Sequence, residues 1–301
     1  MAWPCDAQSI IGPSWLPARE PTWNSLSPIK YPGGKSGMAS LIMRLLGFTE
    51  SYCEVFAGGA SVGLTISRRW PWTRCRFNDS DPAVAGFHTV LRDYPGDLYR
   101  KVKSVWRDFS GVQDLIEFYQ AIRPILRTSR LDKLDRAVAF YICNRIGYSG
   151  ITCRVAGTTA DLDSRLNEGL IDTLPYWSSV LNGVEITNLD YRVVVDQITS
   201  DHAVFIDSPY EHYVGGPNVD LYWSEPWQRA DILELADHLL DLDHRRVRWV
   251  TTLIMSPPTE GMFIDILRSG SNSIRMYKLP VRHRLVHRAA EELVLWNFDA
   301  R

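Results

Sequence analysis

The chain has 301 residues, 45% of them hydrophobic, which suits one large globular domain or one domain carrying an insertion and excludes a disordered or collagen-like chain. Its formal net charge is -2, so no chain-wide basic field attracts nucleic acid, and any such site must rest on local charge. The cysteines, Cys5, Cys53, Cys75, Cys143 and Cys153, form no C-x-x-C pair, which argues against a zinc site or a disulfide framework and leads us to expect no metal.

Residues 1–27 are rich in Pro and Trp and lack a period; they read as an irregular arm packed through Trp3, Trp15 and Trp23. From residue 28 strand and helix signals alternate. A strand is expected over 52–56, a small-residue turn over 56–61, a helix through Val62, Leu64, Ile66 and Arg69, and a second strand over 74–77. Asn78-Asp79-Ser80-Asp81-Pro82 ends that strand, and a helix runs on to about Arg92. Residues 93–189 are helical in pattern with no convincing core strand, punctuated by Pro95, Gly111, Pro124 and Gly147. Alternation then returns: a strand over 203–206, a helix near 226–241, a strand over 248–253, a helix near 260–268, and strands near 274–279 and 292–298. The pattern predicts an α/β fold, a doubly wound sheet formed by residues 28–92 and 190–301, interrupted by a mostly helical insertion over 93–189. No apolar run approaches the about 18 residues of a membrane helix. The N-terminus lacks the basic and apolar regions of a signal peptide, so a cytoplasmic protein is expected.

Two strand ends carry the chemistry. After the apolar run 203–206 come Asp207-Ser208-Pro209-Tyr210, at the carboxyl end of a strand, where open α/β sheets bind ligands. Asp207 and the Ser208 carbonyl can each accept a hydrogen bond from an exocyclic amino group. Pro209 restricts Ser208 to extended backbone, and Tyr210 offers a ring for stacking. The same four residues also suit an ordinary turn. The second feature is Phe56-Ala57-Gly58-Gly59-Ala60-Ser61, whose glycines allow close approach to the backbone ahead of a helix N-terminus. It is neither the G-x-G-x-x-G fingerprint nor a P-loop, and Gly33-Gly34-Lys35-Ser36 lacks the rest of a P-loop. Asp79, about twenty residues on, stands where an acid binds a ribose hydroxyl, although a helix cap is its plain alternative.

Together these stretches resemble one family. Pro28-Ile29-Lys30-Tyr31-Pro32-Gly33-Gly34-Lys35, 52–61, 78–82 and Asp207-Ser208-Pro209-Tyr210 are similar, in order, to the motifs of the Dam-like, D12-class DNA adenine-N6 methyltransferases. Asn144-Arg145-Ile146-Gly147-Tyr148-Ser149-Gly150-Ile151 looks like a segment of their target-recognition insertion. The resemblance implies a Rossmann-like methyltransferase sheet and methyl transfer from S-adenosyl-L-methionine to adenine N6 in double-stranded DNA by base flipping. It implies that Tyr31, Lys35, Phe56, Gly58, Gly59, Asp79 and Asp207 bind the cofactor, with Lys30 a less certain neighbour. Asp207, Ser208, Pro209 and Tyr210 would form the catalytic tetrad. The alternatives are a cytosine-N4 DNA methyltransferase and a catalytically impaired DNA-binding relative. A monomer acting in a bacterial or phage-infected cell is the default, with a cognate restriction endonuclease as a candidate partner.

Three departures stand out. Ser208 replaces the usual first Pro of the tetrad, which keeps the carbonyl but loses a rigid φ. Ala60 replaces a frequent third glycine, tolerable if its φ is negative. Ser149 replaces a customary Asn, and Val155-Ala156-Gly157-Thr158-Thr159 replaces the Asn-containing stretch after it. For DNA, residues 91–155 hold 12 Lys and Arg against 7 Asp and Glu. Arg100, Lys101, Lys103, Arg107, Arg123, Arg127, Arg130 and Arg136 are candidate contacts, most of them expected on solvated helix faces. Arg145, Tyr148 and Arg154 are the favoured DNA-binding residues, and a second basic run over 275–288 borders the expected cleft at lower priority.

Overall fold

A computed structural model of the chain describes residues 26–152, 166–212, 226–282 and 289–299. After an irregular turn come α1 (Ala39–Leu46), β1 (Ser51–Glu54), α2 (Ser61–Arg69), β2 (Arg74–Asn78) and α3 (Pro82–Asp93). Helices α4 (Pro95–Arg107), α5 (Val112–Ile122), α6 (Lys133–Ile146), α7 (Glu168–Ile171) and α8 (Leu174–Val180) follow. The chain continues through β3 (Glu185–Thr187), α9 (Tyr191–Gln197), β4 (His202–Asp207), α10 (Arg229–His244), β5 (Arg248–Leu253) and α11 (Pro257–Gly270). It closes with the antiparallel strands β6 (Arg275–Arg282) and β7 (Ala289–Trp296).

These strands form one mixed sheet of order β3-β2-β1-β4-β5-β7-β6. The five from β3 to β5 are parallel, and β7 runs antiparallel to β5. The sheet is apolar on both faces because its strands alternate at period two. Tyr52, Ala203, Phe205 and Val250 point into one core, and Cys53, Val204, Ile206 and Trp249 into the other. Chain order reverses between β1 and β4, so a crevice opens beyond their carboxyl ends.

The helices of 93–189 pack onto the first of these cores. Phe140 and Tyr141 of α6 join it, and the Tyr141 ring stacks on Phe87 of α3 with centroids 5.7 Å apart. One strand, β3, lies inside the stretch expected to be helical. It is three residues long at the sheet edge and half exposed, so it carries no apolar run to detect. Among the described residues no helix is long and apolar enough to cross a membrane.

Two backbone positions depart from ordinary L-residue geometry. Ala60, at the start of α2, has φ +52°, so the negative φ that would make alanine harmless there is not what forms. Its fully buried methyl packs in the core and offsets a strain of about 1 kcal/mol. Ser149 also has φ +52°, and it is only half-buried. Asn accepts the left-handed region more readily than Ser. Ser149→Asn should therefore raise unfolding stability by roughly 0.5 kcal/mol, read from denaturant midpoints at constant slope. A fall in stability would show that Ser149 makes up its strain elsewhere.

Candidate active site

The crevice at the ends of β1 and β4 is an open cleft. Tyr31, Lys35, Phe56, Gly59, Asp79 and Asp207 all line it, so residues far apart in sequence converge there. Pro209 lines it as well, whereas Ser208 and Tyr210 lie buried behind it.

One wall is built around Gly58. Its N–H donates to Asp79 Oδ2 at 2.7 Å, and its carbonyl faces His88 Nε2 at 2.9 Å. A carbonyl only accepts, so His88 carries its proton on Nε2. Burial pushes the His88 pKa down to about 4, and the ring is neutral. Gly58 has φ +47°, and a Cβ there would stand 2.6 Å from the Tyr31 ring. Only glycine allows Tyr31 to lie against this turn. Asp79 Oδ1 takes the Asp81 N–H at 2.8 Å, so the carboxylate ties the glycine turn to the loop before α3. Burial, then the neighbouring Asp81, raises the Asp79 pKa to about 7, against its backbone hydrogen bonds. Glu54, at the end of β1, accepts from the Gly63 N–H at 2.6 Å and caps α2; burial raises its pKa to about 8.

The opposite wall is organised by Lys35. Its Nζ lies 2.7 Å from Asp207 Oδ1, 3.0 Å from Glu292 Oε1, 2.8 Å from Gly33 O and 3.3 Å from Tyr210 OH. Burial alone would discharge this amine. Asp207, Tyr210 and Glu292 outweigh it, and the Lys35 pKa stands well above its ordinary value. Asp207 Oδ1 also accepts from Thr252 Oγ1 at 2.8 Å, which leaves Oδ2 without a hydrogen-bond partner among the described residues. Burial lifts the Asp207 pKa above the carboxylate range, Lys35 pulls it back, and Glu292 lifts it again. Just beyond, Glu211 accepts from Ser256 N at 2.7 Å and Thr259 Oγ1 at 2.6 Å, which anchors the segment after the tetrad to the start of α11. The Ser208 hydroxyl is buried without a hydrogen-bond partner among the described residues.

A family model described as D12 class N6 adenine-specific DNA methyltransferase matches residues 31–267. The chain belongs to that family. A DNA N-6-adenine-methyltransferase of Escherichia phage P1 is 23% identical over 248 residues, which are 79% of this chain and 31% of that protein. The chain thus spans about a third of the length of this curated relative.

In this D12-family chain the described basic residues of 91–155 are mostly engaged within the chain. Arg127 makes a two-pronged pair with Asp81, Nη2 to Oδ2 at 2.6 Å, with both side chains under a tenth exposed. It is a buried strut, not an open phosphate contact. Lys101 pairs with Asp135, Lys103 and Arg107 with Glu168, and Arg100 with Asp97. Arg145 is 8% exposed, and burial lowers its pKa. Tyr148 is 41% exposed. Arg154 and residues 283–288 lie outside the described residues, as do Trp3, Trp15 and Trp23. Asn144 instead ties the family-like segment to the N-terminal motif. It accepts from Lys30 N at 2.9 Å and donates to Lys30 O at 2.7 Å and Gly150 O at 2.9 Å.

Sequence reasoning missed Glu54, His88 and Glu292, and a second hollow that shares Phe56, Ser80 and Pro209 with the cleft. Tyr191, Trp227 and Phe56 give that hollow mutually contacting aromatic rings. Glu54 had a signal, a carboxylate inside an otherwise apolar strand, which is costly unless it is hydrogen-bonded. Glu292 had no such signal, because it follows Glu291 and reads as the polar start of a strand.

Proposed function

We propose that the chain is an S-adenosyl-L-methionine-dependent methyltransferase acting on adenine N6 in double-stranded DNA. The observation that carries this reading is Asp207. One of its oxygens is saturated by Lys35 and Thr252, and the other has no partner among the described residues in a cleft that Asp207 itself lines. An exocyclic amine is a poor nucleophile because its lone pair delocalises into the ring. Asp207 Oδ2 and the Ser208 carbonyl would accept its two N–H bonds and hold the nitrogen in the geometry that frees the lone pair. Asp207 would then take the proton that the methylated nitrogen sheds and pass it to solvent.

The residues present fit the cofactor. Gly58, at positive φ, lets the Tyr31 ring lie against the glycine turn, and Asp79, Asp207 and Glu54 bring to the cleft carboxyl groups whose ionised forms a cation would favour. When bound, S-adenosyl-L-methionine supplies an electrophilic methyl group on a sulfonium. Tyr31, Lys35, Phe56, Gly58, Gly59, Asp79 and Asp207 would hold it, with Asp79 on the ribose hydroxyls. The target nitrogen lies inside the duplex, so the base must leave the stack. Tyr210 is 3% exposed in the DNA-free chain, so stacking on it would follow uncovering of its ring. Helices α4 to α8, with Tyr148 open to solvent and Arg154 nearby in sequence, would form the DNA-reading insertion.

Calorimetry tests the cofactor half of this reading. Wild-type protein should bind S-adenosyl-L-methionine, and Gly58→Ala should weaken binding at least about tenfold, since the new methyl displaces Tyr31. Asp79 and Glu54 hold protons near neutrality, and a cation favours their ionised forms. Binding should therefore release protons at pH 7 and tighten from pH 6 to pH 8, measured in two buffers of different ionisation heat. Normal binding by Gly58→Ala, or proton uptake, would contradict the assignment.

A further inference from the structure

Glu292 is a carboxylate on the Lys35 side of the cleft to which neither the sequence motifs nor the proposed chemistry gives a role. It comes from β7, beyond the residues matched by the family model. It is 4% exposed, on a strand that pairs with β5 and β6, and its Oε1 reaches Lys35 Nζ at 3.0 Å. A carboxylate this buried is costly to keep unless its charge is used. One ammonium therefore stands between two carboxylates, and the cluster carries one negative charge in excess when both are ionised.

We propose that Glu292 is a positioning residue for methyl transfer: by sharing the Lys35 ammonium it leaves Asp207 a stronger acceptor toward the substrate amino group. This rests on the methyltransferase reading above and deepens it. The geometry gives the reason. The Lys35 ammonium has three protons and four oxygens around it: Gly33 O, Asp207 Oδ1, Glu292 Oε1 and, farthest, Tyr210 OH. Without Glu292, Lys35 would place its charge on Asp207 alone, draw electron density from the carboxylate and weaken the free Oδ2 as an acceptor. With Glu292 in place, the ammonium still fixes the orientation of Asp207 through Oδ1 but neutralises it less. The groups facing Asp207 are Lys35 from the N-terminal motif, Glu292 from β7, Tyr210 from the segment after β4, and Glu54 from β1. After burial, Lys35 lowers the proton affinity of Asp207 and Glu292 raises it. Glu292→Gln removes this anionic neighbour and keeps a polar side chain of similar size beside Lys35.

The test compares wild type, Glu292→Gln and Glu292→Asp. In Glu292→Gln, kcat on duplex DNA should fall about tenfold. The acidic limb of kcat/KM should move about one unit to lower pH, because Asp207 ionises more readily without its anionic neighbour. Glu292→Asp keeps the charge and should keep the limb within a few tenths of a unit. If Glu292→Gln does not fold, Glu292→Met, similar in volume and uncharged, takes its place. Carboxyl carbon-13 titration of Asp207 in cofactor-free wild type and variant gives the same comparison without any activity. Its pKa should drop by a similar amount when Glu292 is neutralised. An unchanged Asp207 titration, or an equal loss of activity in Gln and Asp with no movement of the limb, would reduce Glu292 to a structural residue. Wild-type protein that moves no methyl group would count against the methyltransferase reading, and the Asp207 titration would still decide the coupling.

Discussion

Asp207→Ala is expected to reduce methyl incorporation into duplex DNA by about a thousandfold while S-adenosyl-L-methionine binding is partly retained. The magnitude follows from what the side chain does. In the proposed reaction its Oδ2 would accept from one N–H of the amine, and the Ser208 carbonyl from the other. Removing one of two preorganised acceptors would cost a large factor in the chemical step and little in ground-state binding. The variant should fold, because Lys35 keeps Glu292 and Gly33 O as partners and no lone buried charge is created. Incorporation of tritiated methyl groups in single turnover, alongside calorimetric binding, separates the two effects. Activity within tenfold of wild type would remove Asp207 from the chemistry.

Arg127→Ala should destabilise the fold by about 3–5 kcal/mol. The guanidinium holds both oxygens of Asp81 and also donates to Thr152 Oγ1 at 2.8 Å. Truncation leaves Asp81 buried beside Asp79 with no cation. Asp81 is also the N-cap of α3, accepting from the Ala83 N–H at 2.9 Å, so the loss reaches the cleft wall. Denaturant unfolding of the variant gives the value directly. A change under 1 kcal/mol, with DNA affinity falling instead, would return Arg127 to the DNA surface from which its burial removes it.

Where the sequence was legible, one residue or one short run carried the whole meaning. The turn at Gly58 and Gly59, Asp79 and the Asp207 tetrad each mark the point where an apolar strand ends in polar or flexible residues, and the sheet then brings those ends together. The Lys35–Asp207–Glu292 cluster, the Arg127 strut on Asp81 and the Asn144 clasp on Lys30 were not legible in this way. Each joins distant segments, and nothing local in Glu292 or Asn144 names its partner. The sign of φ at Ala60 was equally hidden, because residue type only biases backbone conformation, and packing at the start of α2 overrode the bias. The edge strand β3 was too short to show a period. The basic residues of 91–155 were countable, but the count does not show that Lys103 and Arg107 pair with Glu168 and Arg127 with Asp81, acids outside that stretch that draw off part of the excess charge.

The proposed reaction is methyl transfer to adenine N6. Nucleoside mass spectrometry of duplex DNA incubated with the purified wild-type chain and S-adenosyl-L-methionine, with Asp207→Ala as the control, tests it most directly. N6-methyladenine should accumulate with wild type and be nearly absent with the variant. N4-methylcytosine in its place, or no methylated nucleoside from a wild-type chain that binds both cofactor and DNA, would contradict the account.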